Sequence, residues 1–311
     1  MPSPKSHLNA YIKLTLAIFA WAGVYQSAGY LIKHVDLYSA AFFRYLIASI
    51  ALLAILRIKT GKFIDVAQFK QHWSLLISLG IVGIGLYNLA FFSAEQYLSP
   101  NMVAIISSFS PCLTALLAAV YMRQRLSLMT YVAMLIALCG TIGVINYANP
   151  NCGQFFCNDI FTHLSKGEIY ALCLCLFTAI YNIMNRVATQ KQIPSLTITT
   201  YAAVFGSLVL FFPMIILGHP SNIFSQNLEF WSIMLYTSLI GSVLAYFWYS
   251  ESIKNLGVTK TVIFLNGIPF VTILIGVALF GEQVSLATVF CGVVIISGVI
   301  LTNLMIKRRA N

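Results

Sequence analysis

The 311-residue chain predicts an all-α, polytopic membrane protein whose ten transmembrane helices form two inverted five-helix repeats. Composition is the first sign: 59% of residues are hydrophobic and 8% charged, against roughly 25% charged in a soluble domain. Second, ten windows are apolar over about 20 residues, the length that crosses a hydrocarbon core. Third, a constant step of 158 residues, the separation of Lys33 from Lys191, also carries Trp73 onto Trp231, Gly83 onto Gly241, Pro111 onto Pro269 and Gly140 onto Gly298. Leu-on-Leu matches are cheap in so apolar a chain; coincident Trp, Pro and Lys are not. Five spans per copy is an odd number, so the second copy must sit upside down relative to the first. Inverted repeats of this kind typify secondary carriers, with a solute site near the bilayer midplane between the copies.

A short polar segment, 1–10, precedes an apolar stretch too long, and with too many successors, for a cleaved signal peptide, so it is expected to be retained as the first span. The first repeat, 11–147, holds windows at 11–32, 37–57, 74–96, 99–121 and 127–147. An outer linker, 148–168, leads to the second repeat, 169–306, with windows at 169–189, 195–217, 231–253, 257–280 and 285–306; a basic tail, 307–311, follows. Glycine and proline inside several windows do not argue against helix, because membrane helices tolerate both where neighbours satisfy the freed backbone groups.

The formal charge of +10 follows from topology. With a cytoplasmic N-terminus, Lys33 and Lys166 alone among the 18 Lys and Arg fall in outer loops, Arg44 lies within a span, and the rest gather on inner segments. That bias places both termini inside and requires an even number of spans. No polar domain is left to carry a phosphate-binding face, so no nucleic-acid partner is expected. No Asn-x-Ser/Thr acceptor occurs, in keeping with a bacterial inner membrane. In the linker, Cys152 and Cys157 are spaced to permit a disulfide in an oxidising compartment, and two free thiols fit equally well. Cys112, Cys139, Cys173, Cys175 and Cys291 fall in spans and are expected to pack as small hydrophobes.

Spacing argues against several chemistries. Gly61-Lys62 lacks the upstream glycine of a phosphate loop, none of the five histidines begins a His-Glu-x-x-His pattern, and no serine occupies a nucleophile elbow. No acid–base pair of carboxylates can be placed at one depth, so an intramembrane enzyme is the minor alternative. No cofactor and no metal are expected.

Trp21 in Ala-Trp-Ala-Gly (20–23), Arg44 in Phe-Phe-Arg-Tyr (42–45), Ser-Ser-Phe-Ser-Pro (107–111) and Leu-Asn-Gly-Ile-Pro (265–269), followed by Phe280-Gly281-Glu282, resemble the EamA-type families of the drug/metabolite transporter superfamily over residues 10–306. One departure is Arg123-Gln124, where the family often has Gly-Glu, as at Gly281-Glu282. The resemblance implies alternating access without ATP, with the first, third, fourth, sixth, eighth and ninth spans lining a central cavity, and small organic metabolites moved often outward.

On those spans, depth selects Trp21, Tyr25, Gln26, Tyr87, Asn88, Ser107, Ser108, Ser110, Tyr181, Asn182, Tyr246 and Asn266 as candidate solute contacts. An amide at mid-bilayer is costly unless paired or wet, so Asn88, Asn182 and Asn266 either meet the solute or bond between helices. The serines have the same alternative in bonds to their own helix, and the aromatic residues in plain packing. Pro111 and Pro269 are expected to remove a backbone donor inside their helices, as flexible points or as static kinks. Arg44 needs a partner or a wet cavity. An ion pair with Glu95, structural or gating, is the favoured reading, and contact with a substrate carboxylate the other.

Glu95, Glu251 and Glu282 all lie near span ends and no Asp lies within a span, so facilitated diffusion is simpler than proton coupling. Too few deep cations are present for a phosphorylated substrate. The expected partner is a small neutral or zwitterionic, amino-acid-like solute with an apolar or aromatic side chain, exported across the inner membrane. Import of a scarce metabolite such as a nucleoside, a vitamin or an S-adenosylmethionine-like compound is the alternative, and monomer and homodimer both fit the pattern.

Overall fold

The structure, a computed structural model, describes residues 4–63, 66–121, 126–148, 165–256, 261 and 264–310. Cys152, Cys157, Arg123, Arg125 and Lys260 lie outside the described residues. Among those described, the protein is helical, and nine helices are long and apolar enough to cross a membrane, with a shorter apolar helix at Ile268–Phe280.

The order is α1 (Pro4–His34), α2 (Leu37–Thr60), α3 (Val66–Gly80), a π-helical stretch (Ile81–Leu86), α4 (Tyr87–Tyr97), α5 (Pro100–Ser107), α6 (Ser110–Tyr121), α7 (Leu128–Ala148), α8 (Lys166–Gln190) and α9 (Ser195–Leu217). A 3-10 turn (Pro220–Ser225) precedes α10 (Leu228–Leu235), a second π-helical stretch (Tyr236–Leu244), α11 (Ala245–Leu256), α12 (Ile268–Phe280) and α13 (Leu286–Ala310). Local signals mark the ends. Asp36 caps α2 through its side chain on the Ser39 N–H at 2.9 Å, and Gly61, at φ 75°, closes it in the left-handed region.

Packing exchanges the two halves. The first stretch of each half lies on the third and fourth stretches of the other: α1 packs on α11 and α12, and α8 on α4 and α6. The second stretches, α2 and α9, pack together, as do the fifth, α7 and α13. Caps repeat at the same step: the Ser127 and Ser285 hydroxyls each accept the N–H three residues on, from Thr130 and Thr288, at 3.1 Å. The repeated glycines mark the closest approaches. A Cβ on Gly140 would fall 2.8 Å from the backbone N of Ile295, and one on Gly298 2.5 Å from that of Ala137, so α7 and α13 meet backbone to backbone.

Two ends of the bundle differ. At the end marked by Lys13, α1 is sealed against α11 and α12: Leu14, Ile18 and Leu256 form a buried cluster with Leu265, Ile268 and Val271. Lys13 pairs with Glu251 at 2.6 Å, and the Ser252 hydroxyl donates to the Ala10 carbonyl at 2.9 Å. At the end marked by Lys33, an open cavity lies between α1, the α4–α5 junction and the end of α12.

Candidate functional site

Breaks in the helices organise the centre. The fourth hydrophobic stretch is two half-helices joined at Ser108-Phe109, and α12 begins directly after Asn266-Gly267, which stand at the same step. Pro111 and Pro269 are each the second residue of the half-helix that follows, a position where the missing N–H has no intrahelical partner to lose. This corrects the expected interior kink: the prolines start helices and free no carbonyls in mid-helix. The positive ends of the α6 and α12 helix dipoles therefore lie at these two breaks. The Asn266 amide nitrogen is buried beside the second break without a hydrogen-bond partner.

The third and eighth stretches loosen at matching depth instead, into π-helix. There the helix's own carbonyls turn to other partners: Trp21 Nε1 donates to the Gly241 carbonyl at 3.0 Å. Arg44, 5% exposed, links the second loosened segment to the start of α4, just beyond the first, with Nε donating to Ser242 Oγ at 3.2 Å and Nη1 to Asn88 Oδ1 at 3.3 Å. Its guanidinium also lies over the rings of Tyr45 and Phe91. The expected ion pair with Glu95 is not formed. Arg44 turns to the Asn88 amide on α4 and the Ser242 hydroxyl on the second π segment, and neither Glu95 oxygen has a hydrogen-bond partner.

Aromatic side chains line the same core. Trp21 meets Tyr246 and Tyr249 edge-on at 5.3 and 5.4 Å, Tyr25 meets Phe91 at 5.3 Å, and Tyr87 stacks on Phe91 at 6.2 Å. Tyr181 presses against Gly83, where a Cβ would lie 2.0 Å from its ring. Of the amides, Asn88 bonds the Ile84 carbonyl and Arg44, whereas Asn182 is exposed and reaches Thr114 Oγ1 at 3.3 Å, a bond between helices. Ser108 and Ser110 donate to carbonyls of their own chain three residues back, and Ser107 is the serine that reaches Tyr25 Oη, at 2.8 Å.

A cavity of about 650 Å³ opens at the Lys33 end, between α1, the α4–α5 junction and the end of α12. Its floor is a polar network: Gln26 Nε2 donates to Asn101 Oδ1 at 3.1 Å and to the Thr272 carbonyl at 3.3 Å, and Asn101 Nδ2 donates to Glu282. Gly276 makes this possible, since a Cβ there would stand 2.6 Å from the Gln26 amide. Burial raises the Glu282 carboxyl above the ordinary carboxylate range, against the bonds from Gln26 and Asn101 and the nearby Lys33 charge, which lower it. Between α6 and α8 toward the other end lies a pocket of only about 40 Å³. Asn101, Thr272, Gly276 and Ser242 escaped the sequence reading. Ser242 adjoins the repeated Gly241, which was a usable signal; Asn101 follows the Ser99-Pro100 helix start and read as a span end.

A bundle of apolar helices, broken at mid-depth around an aromatic and amide-lined core and hollow at one end, defines a membrane transporter. The EamA-like transporter family model matches residues 8–146 and again 165–304, and the chain belongs to that family. Relatives include the uncharacterized transporter YyaM of Bacillus subtilis, 28% identical with 97% of this chain and 95% of the relative covered, and YetK of the same organism, 25% identical over 85% and 76%. An uncharacterized transporter of Archaeoglobus fulgidus is 24% identical over 91% of this chain and 94% of its own. A solved crystal structure superposes with a TM-score of 0.63 over 97% of this chain and 99% of its own, at 17% identity, a likeness of fold.

Proposed function

We propose that this chain is a secondary transporter that moves a small neutral or zwitterionic, amino-acid-like solute by alternating access, without a cofactor. The observation that carries the reading is the contrast between the two ends. The cavity is open at the Lys33 end, while α1, α11 and α12 close the Lys13 end through apolar packing and the Lys13–Glu251 pair. The large cavity and the small pocket between α6 and α8 share lining positions that exchange under the step of 158 residues: Gly29 corresponds to Val187 and Ile32 to Gln190. Exchanging the two packings would turn one access state into the other.

The architecture in this reading is ten spans in two inverted repeats, with α12 and the residues before it forming the ninth. Separate family matches to the two halves, the repeated breaks and the exchanged packing support it. Positive inner segments support cytoplasmic termini, an inner-membrane location and an outward-facing Lys33 end. The half-helix N-termini and Asn266 suit a carboxylate, and the rings of Trp21, Tyr25, Tyr87 and Tyr246 suit an apolar or aromatic side chain. Among the described residues one buried cation, Arg44, is too little for a phosphorylated solute.

Counterflow in proteoliposomes tests the proposal. Preloaded unlabelled amino acid is expected to accelerate uptake of the labelled one; binding without exchange would mark a receptor, and chemical turnover an enzyme. Oriented vesicles then read the favoured direction, for which export is expected. A further expectation concerns the closed end. Lys13→Gln removes a half-exposed ion pair worth at most about 1 kcal/mol, so it should shift the access equilibrium by no more than about fivefold. Alkylation from the inner side of a single cysteine placed at Ser108, in a background without other cysteines, measures that shift; a rate unchanged from the Lys13 parent would remove the pair from the gate.

A further inference from the structure

Glu95 is 6% exposed, and neither of its carboxylate oxygens has a hydrogen-bond partner. A carboxylate so placed costs several kcal/mol unless a cation or donors answer it. The neighbouring donors are engaged elsewhere: Arg44 on Asn88 and Ser242, Gln26 on Asn101 and Thr272, and Asn101 on Glu282. Yet Glu95 lines the 650 Å³ cavity. Across from it α1 presents Gly29, whose missing Cβ would stand 2.8 Å from the Pro100 ring and 3.8 Å from Glu95 Oε2, so the carboxylate and the ring both lie close against the α1 backbone and α1 offers it no polar side chain at this position. The second carboxylate of the cavity, Glu282, adds negative charge to the same hollow, and Lys33 is the cation on its rim.

We infer that Glu95, backed by Glu282, binds the protonated amino group of the transported solute. The inference rests on the carrier reading of this cavity and adds the chemical class of its ligand. A bare inorganic ion needs several oxygens converging at short range, whereas the second carboxylate of the cavity, Glu282, is turned to Asn101. A primary ammonium brings three donors of its own on a body that fills a larger space, and the amides of Gln26, Gln96 and Gln283 together with the rings of Tyr30 and Phe280 accommodate such a body. The ammonium supplies the hydrogen bonds and the charge that Glu95 lacks; the solute enters at the open end, and because both carboxylate oxygens are shielded, a turn of the Glu95 side chain toward the cavity it lines completes the contact.

Thermal unfolding of the purified full-length protein tests this with L-phenylalanine, L-leucine, 2-phenylethylamine and N-acetyl-L-phenylalanine as probes, in sodium chloride and again in choline chloride. The free amines are expected to raise the Tm and N-acetyl-L-phenylalanine to leave it unchanged. Glu95→Gln should weaken free-amine binding by at least about tenfold, as loss of one charge-assisted hydrogen bond does, and Glu95→Asp should keep the preference. Equal stabilisation by the N-acetylated compound overturns the inference. So do failure of every free amine to stabilise the protein, stabilisation by sodium alone, and amine binding unchanged in Glu95→Gln. Should Glu95→Gln fail to fold, the contrast between amine and N-acetyl ligands on the unaltered protein still decides. Counterflow without an amine preference removes the ammonium site and leaves the carrier; amine binding without exchange does the reverse.

Discussion

Arg44→Gln is expected to abolish solute counterflow while leaving the protein folded and close to its original stability. Two opposing terms of similar size meet at this residue. Holding a cation inside the membrane costs about 2.5 to 3.5 kcal/mol on insertion scales. Its bonds to Ser242 and Asn88 return about 1.5 kcal/mol each, the low end for charged donors, because at 3.2 and 3.3 Å both are long. Glutamine removes the charge and keeps an amide donor, so the net change in stability should be about 1 kcal/mol or less. Function does not share this cancellation. Arg44 joins a residue just beyond the first π segment to one inside the second, and without it the two loosened stretches lose their shared link. Lysine should not rescue, since one ammonium cannot reproduce donors that leave the guanidinium in two directions. Exchange at the original rate in Arg44→Gln, with the fold intact, would reduce this residue to an occupant of the helix interface.

Gly298→Ala is expected to lower stability by about 1 to 3 kcal/mol, the usual cost of overpacking, without changing the apparent affinity for solute. The added Cβ would stand 2.5 Å from the Ala137 nitrogen and 2.7 Å from the Ala133 carbonyl, both backbone atoms of α7. A side chain could rotate away; a helix backbone can only be pushed back, which separates α7 from α13 along their contact. Gly140→Ala should act alike, because its Cβ would meet the Ile295 nitrogen and the Cys291 carbonyl. The pair is predicted to be non-additive, since the first substitution already opens the gap that the second needs. Loss of Tm in both single variants with unchanged half-saturation in counterflow checks the prediction; an unaltered Tm would mean that the two helices slide apart at little cost.

Much of the architecture was legible because it rests on one-dimensional signals. Hydropathy over about 20 residues marks a span, and the windows at 195–217 and 37–57 coincide with helices Ser195–Leu217 and Leu37–Thr60 to within a few residues. The shared step singled out Gly140 and Gly298, and the structure gives the reason: each is the place where a partner backbone leaves no room for a Cβ. Of the residues chosen by depth, Trp21 and Tyr246 meet edge-on, while Tyr25 reaches Phe91, Gln26 reaches Asn101 and Asn88 reaches Arg44. Depth alone could not tell which face of a helix a residue takes, so Asn182 was grouped with them although it bonds outward to Thr114.

Helix breaks and partners were beyond that reading. Ser107 and Ser108 are adjacent and alike in sequence, yet only the local turn decides that Ser107 reaches Tyr25 while Ser108 bonds back to Ile105. Opposite charges at similar depth suggested Arg44 with Glu95, but a guanidinium takes whichever acceptors the packing brings within reach, and here those are an amide and a hydroxyl on the loosened third and eighth stretches.

By itself, then, the order of residues determined that this chain lives in a membrane and that it is helical, because burial in lipid demands long apolar runs with internally paired backbones, and it showed Trp, Pro, Gly and Lys positions recurring at one fixed step. Only tertiary structure decided where those runs break, which carboxylate is left unanswered and which end is hollow. These depend on contacts between residues far apart in the chain, such as Gln26 with Thr272 and Arg44 with Ser242, whose geometry no local pattern encodes.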